Sequence, residues 1–233
     1  SFVLMPVHRM MELSASRIRW DSLVWNQPAE AFGTIRAVSA AIRSRLPGLP
    51  DTEDGAMDEE GRLVMIETGL PGTYRGFNCS GFAKWMVDGF YRHLVVQGSS
   101  APYIPIGILK ERLLDHRGNE RTDPWEERRD PFFGLDWTRN LATVLARARG
   151  ERASGPESRD LRSSEVAAYV EDKGYRIQDL PLVFYAEAIR NPGRWYLVSV
   201  NGEFGTEPAM WQHYHVVAVF PWFDSKGRFV MDV

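Results

Sequence analysis

The chain has 233 residues, 44% hydrophobic and 25% charged, with 12 Phe, 8 Trp and 8 Tyr; this is globular composition with length for a core, and it excludes disordered and collagen-like chains. Its 28 Lys and Arg against 31 Asp and Glu leave a net charge of -3, so no basic surplus draws it to nucleic acid. One cysteine, Cys79, excludes an internal disulfide framework and any Cys-rich zinc or iron-sulfur site.

No apolar run approaches the roughly 18 residues of a membrane helix, so no spanning segment is expected. Ser1 to Val7 are apolar but short and lack the marks of a secretory leader. The chain starts on Ser1 and ends on Val233 in a strand-like run; both ends are expected to be trimmed, with room for a removed signal peptide or lipid anchor. Phe32, Ile35, Val38, Ile42 and Leu46 fall at helical spacing, and the run stops at Pro47-Gly48-Leu49-Pro50. The acidic stretch Asp51 to Gly61 predicts a solvated loop or linker. Residues 1–60 then form an N-terminal helical extension to a main domain over 61–233.

Phe82, Trp85, Met86 and Phe90 predict an amphipathic helix with Cys79 in its first turn and Asn78 as N-cap. Pro102 to Asp136 is irregular and reads as a long excursion over the core, part of an insertion at about 100–160. Asp136 is expected to cap a helix to about Arg149, with Arg139, Arg147, Arg149 and Arg152 on its wet face. A linker, Ala153 to Arg159, and a short helix around Ser164 to Asp172 follow. From Leu182 the pattern turns to strands over Leu182–Ala188, Trp195–Asn201, His215–Phe220 and Arg228–Asp232. Asn191-Pro192-Gly193, Asn201-Gly202 and Asp224-Ser225-Lys226-Gly227 supply the turns. Helices first and an antiparallel sheet afterwards make an α+β fold.

A free cysteine is among the most often buried residue types, and the surroundings of Cys79 decide whether it is packing or a nucleophile. A helix N-terminus favours a thiolate, and the same unpaired amides suit the oxyanion of a bound carbonyl. A thiolate nucleophile works with an imidazole base. His8, His93 and His116 are poorly placed in sequence; His213 and His215 flank Tyr214 before the apolar run Val216 to Phe220. Strand alternation puts both on one face, where either meets Cys79. His215 is favoured, with His213 or Gln212 beside it. A hairpin through Asp224 to Gly227 would return Asp232 to the start of the His215 strand as the residue that orients the base.

Residues Asn78-Cys79-Ser80-Gly81-Phe82, after Pro71-Gly72-Thr73-Tyr74-Arg75-Gly76-Phe77, resemble the cysteine signature of the NlpC/P60 peptidases, and His215-Val216-Val217-Ala218-Val219-Phe220 resembles that family's histidine strand. The resemblance implies a papain-like core, a Cys helix packed on an antiparallel sheet, with Cys79 as nucleophile and His215 as base. It implies cleavage of amide bonds in bacterial cell-wall peptides, hence a peptidoglycan peptide as partner and a periplasmic or extracellular location. Tyr74 lies close to the family's active-site tyrosine and is carried over as a substrate or oxyanion contact. Ser80, His213 and Gln212 join it as further contacts of that kind. Asn78 stands where the family more often has Asp, and the segment between helix and His strand is longer.

Two other readings compete. His213-x-His215 has the spacing of a cupin-like metal site, and a catalytically inactive papain-fold module would bind cell wall without cutting it. The favoured reading calls for no cofactor and no metal; phosphate-binding Gly loops, a Ser-centred elbow and HExxH are absent from the sequence.

Overall fold

The computed structural model describes residues 7–20, 29–72, 76–95, 101–111, 131–152, 155–162, 166–204 and 210–233. It is a mixture of helices and antiparallel sheet, α+β as the order of sequence patterns predicts. The chain divides into two compact units, Ser1–Ala40 with Ser163–Trp195 and Phe220–Val233, and Ala41–Arg162 with Tyr196–Val219. The division is discontinuous in sequence.

The first unit contains α1 (Val7–Ser14) and most of α2 (Gly33–Arg45). Its core sets Phe32 edge-on to Phe223, centroids 5.7 Å apart, with the Tyr185 ring 5.2 Å from Phe223. Tyr185 belongs to a helix over Leu180–Arg190, where a strand was predicted. An unbroken apolar run is ambiguous by periodicity alone. Here Pro181 occupies the first turn, where its missing N–H costs nothing. The short helix expected at Ser164 to Asp172 is absent from its described part, residues 166–172, where turns lead into a Val170–Gly174 bridge.

The second unit opens on β1 (Ala56–Met57) and β2 (Leu63–Val64), an antiparallel pair. The acidic stretch Asp51 to Gly61, predicted to be a solvated loop or linker, is largely turns, but it contains β1 and is tied down by its carboxylates. Both carboxylate oxygens of Asp54 accept backbone N–H groups, from Ile66 at 2.9 Å and Glu67 at 3.2 Å. Asp58 accepts those of Glu60 and Arg62. Acidic side chains here replace missing backbone partners in tight turns, a use that a charge count cannot separate from solvation.

Helix α3 (Cys79–Val95) packs on β1 and on the long helix Phe133–Ala148. With α4 (Ile106–Leu109) between them in sequence, that long helix is α5, and Leu180–Arg190 becomes α6. Helix α5 supplies the centre of this core: Trp137 and Leu141 are fully buried. Arg139, expected on the wet face, is buried in a two-point pair with Asp160, whereas Arg147 and Arg149 are exposed.

The main sheet has the order β3 (Tyr196–Phe204), β4 (Met210–Phe223), β5 (Phe229–Asp232), antiparallel throughout. Strand β4 passes from the second unit into the first after Val219. Asn201-Gly202, predicted as a turn, lies inside β3, with Gly202 paired to Gln212. Asp224 holds the β4–β5 turn by accepting the N–H groups of Lys226 and Arg228. Among the described residues no helix is long and apolar enough to cross a membrane.

Candidate active site at the start of helix α3

Helix α3 begins at Cys79, and Asn78 Oδ1 accepts the Gly81 N–H at 2.8 Å, the N-cap bond predicted from sequence. The cap is tied down in turn. Asn78 N–H donates to the Gly55 carbonyl at 3.2 Å, and its side-chain amide donates to the Glu53 carbonyl at 3.3 Å. Phe77 exchanges backbone bonds with Pro50 and Thr52. With Gly81 taken by the cap and Phe82 N–H returning to the Asn78 carbonyl, the amides of Cys79 and Ser80 have no acceptor within the helix. Cys79 itself is half-buried.

Ser80 is buried, and its carbonyl accepts Trp137 Nε1–H at 3.0 Å. The side chain predicted as a substrate contact is thus enclosed, and its backbone anchors α5 beside the cysteine. Phe82 and Trp85 stack at 5.6 Å on a half-exposed flank. The face of α3 that is most deeply buried carries Ala83, Lys84, Val87 and Asp88. Lys84 Nζ donates to Asp88 Oδ2 at 2.6 Å, and Asp88 Oδ1 accepts the Ile104 N–H at 2.8 Å. Burial pulls the Lys84 ammonium below its ordinary value and pushes the Asp88 carboxyl above its own, while each partner opposes the other's shift.

The two histidines of β4 do not share a face. Val200 pairs with His215 and Asn201 with His213, so Tyr214 is an extra residue, a β-bulge. Val200 and Asn201 point to opposite sides of β3, and their partners follow. His213 is turned inward, 5% exposed, whereas His215 is exposed. The alternation argument that grouped them, and preferred His215, fails because a bulge shifts the period by one. It also removes the His-x-His chelate, which needs both imidazoles on one side. Among the described residues no three His, Cys, Asp or Glu side chains cluster as metal ligands. Gln212, opposite Gly202, falls on the side of His215.

His213 is held from several directions. Its Nδ1 lies 3.0 Å from Ser199 Oγ, and its N–H donates to the Pro131 carbonyl at 2.7 Å. The Phe132 ring lies 5.8 Å from the imidazole, centroid to centroid. Gly134 abuts the strand: a β-carbon there would stand 2.8 Å from the His213 carbonyl oxygen and 3.1 Å from Ser199 Oγ. Gly134 and Trp137 are one turn apart, about 4.5 Å of helix rise. One turn of α5 therefore touches both the backbone beside Cys79 and the backbone of His213.

Asp232 is placed differently from the prediction. The hairpin forms, but its register pairs Asp232 with Phe220. The carboxylate accepts the Ser39 hydroxyl at 2.7 Å and Trp222 Nε1–H at 3.2 Å. A four-residue β5 is too short to reach back to the start of a fourteen-residue β4. Tyr74 and His116 lie outside the described residues. Ser199, Pro131 and Gly134 were not identified from sequence. The available signal was the spacing of Ser199 and Asn201, two apart on a strand, and a glycine between the aromatics Phe133 and Trp137.

No protein-family model matches this chain, and neither does any curated protein or solved structure.

Proposed function

We propose that this chain is a cysteine-dependent amide hydrolase on a papain-like core of the NlpC/P60 type, with Cys79 as nucleophile and His213 as base. The observation that carries the reading is the common neighbour: the stretch Gly134 to Trp137 of α5 meets both the capped start of α3 at Ser80 and the buried His213 on β4. In the proposed reaction His213 takes the proton of the Cys79 thiol as sulfur attacks the carbonyl carbon. The amides of Cys79 and Ser80 receive the oxyanion. The C–N bond breaks as His213 hands its proton to the leaving amine. Water then attacks the thioester, giving its proton to His213, and the acid leaves with the thiol restored.

The substrate class, cell-wall peptide, and the extracytoplasmic location rest on the resemblance of Asn78 to Phe82 to the family signature. Digestion of muropeptides followed by mass spectrometry tests both parts. Cleavage is expected from the natural chain and none from Cys79→Ala, with a loss on the order of 10²- to 10⁴-fold for His213→Ala. His215→Ala and Asp232→Asn are expected to keep activity within a few-fold. A Cys79→Ala protein that still cleaves overturns the reading, and binding of muropeptide without cleavage by the natural chain points to the inactive module instead.

A further inference from the structure

We propose that the arginines around the C-terminal end of α5 form a docking surface for a flexible polymer that carries phosphate along its chain. No step of the Cys79 reaction is involved. Residues 139–162 hold six arginines, Arg139, Arg147, Arg149, Arg152, Arg159 and Arg162, and no lysine, against Glu151, Glu157 and Asp160, in a chain whose net charge is -3. The balance of the whole chain therefore hides a local surplus of the opposite sign.

Asp160 is enclosed with Arg139, whose guanidinium takes both of its oxygens, so one buried charge cancels the other. Arg162 stands 3.6 Å from the same carboxylate and is 43% exposed. Glu151 is shared as well, between Arg149 at 3.7 Å and Arg159 at 3.0 Å. Each of these two carboxylates thus faces two guanidiniums. Nε of Arg159 is enclosed with no acceptor among the described residues. Glu157 turns its carboxylate toward Gly155. Arg147 and Arg152 are exposed and have no carboxylate partner among the described residues. Cations in the last turn of a helix offset its free carbonyls, which accounts for Arg147 and Arg149. It does not account for Arg152, Arg159 and Arg162, which follow the helix; the packing of the 3-10 turn Pro156–Arg159 on α5 brings the later arginines back beside it.

A guanidinium is a planar fork that meets phosphate oxygens two at a time and is weakly hydrated, and arginine without lysine is the composition such recognition uses. Glu151 and Glu157 lie among the arginines, so a rigid rod or plane of negative charge is repelled wherever it meets them, whereas a flexible chain seats its phosphates between. This favours a linear phosphate polymer over a duplex or an anionic membrane.

Fluorescence anisotropy with labelled linear inorganic polyphosphate as the probe tests the surface on the intact chain. Binding is expected to weaken as salt rises. Arg147→Gln with Arg152→Gln is expected to weaken it about tenfold at low salt, and to flatten the slope of log affinity against log salt by about 0.7 for each arginine removed. Arg45→Gln, which removes an exposed cation on α2, is expected to leave binding unchanged. No binding of polyphosphate, or binding that the double variant and Arg45→Gln affect equally, overturns the proposal. Equal or tighter binding of polyglutamate, duplex DNA or phosphatidylglycerol vesicles at the same salt overturns it too, since the surface would then not select phosphate on a flexible chain.

Discussion

Gly81 in the first turn of α3 lies so close to Gly55 that a β-carbon on Gly81 would overlap the Gly55 carbonyl oxygen. That oxygen also accepts the Asn78 N–H. The approach of two backbones is thus what seats the cysteine end of the helix against β1. Gly81→Ala is expected to destabilise the protein by about 3 kcal/mol or more, since backbone cannot move aside as a side chain can. Gly89, on the exposed side of the same helix, has no atom within 4 Å of a built β-carbon. Gly89→Ala is expected to stabilise by about 0.5–1 kcal/mol through the unfolded chain. Urea midpoints of the two variants should move in opposite directions; a shift of the same sign would contradict the packing described.

The carboxylate of Asp58 gives a prediction in pH. Burial alone would raise it, but the backbone N–H and guanidinium of Arg62, with the Glu60 N–H, outweigh burial and hold it below its ordinary 3.8. A depressed folded value means that Asp58 contributes stability above the unfolded value of 3.8, and that this is lost as pH falls through the lower folded value. Asp58→Asn is therefore expected to weaken the protein at pH 7 and to reduce its further loss below pH 4. The check is a pair of urea titrations, at pH 7 and pH 3, for each protein. Parallel losses in both would remove Asp58 from the acid limb.

The local features of the site were legible where they depend on neighbours in sequence. Asn78 as cap, Cys79 as first helical residue and the three C-terminal strands all follow from patterns spanning a few residues. What was hidden depends on register and tertiary pairing. The bulge at Tyr214 has no signature in Trp211-Gln212-His213-Tyr214-His215, yet one extra residue decides which imidazole faces inward. Lys84 and Asp88, at the spacing of an ordinary solvated pair, are instead sealed inside because each neutralises the other. Their burial moves the core side of α3 away from Phe82, Trp85 and Phe90. The apolar run Leu182 to Ala188 carries no period to tell helix from strand.

The Arg139–Asp160 pair supplies the last prediction. The guanidinium donates to both carboxylate oxygens, at 2.9 Å through Nε and again through a terminal nitrogen, and the two side chains are only 2% and 9% exposed. It joins α5 to the short 3-10 turn Pro156–Arg159, which ends just before Asp160. Asp160→Ala leaves a cation enclosed, so it is expected to cost about 3–5 kcal/mol. Arg139→Lys keeps the charge but offers a point donor in place of a planar fork, and is expected to destabilise by less. Replacing both partners with apolar groups, Arg139→Met with Asp160→Leu, is expected to recover most of the single-variant loss, because neither enclosed charge remains and Arg162, 3.6 Å from Asp160, is 43% exposed and stays hydrated. A buried pair is little screened, so these differences should persist in 0.5 M salt, about the range where exposed pairs are suppressed. A cost below about 1 kcal/mol for Asp160→Ala, or one that vanishes in salt, would place the pair at the surface in solution.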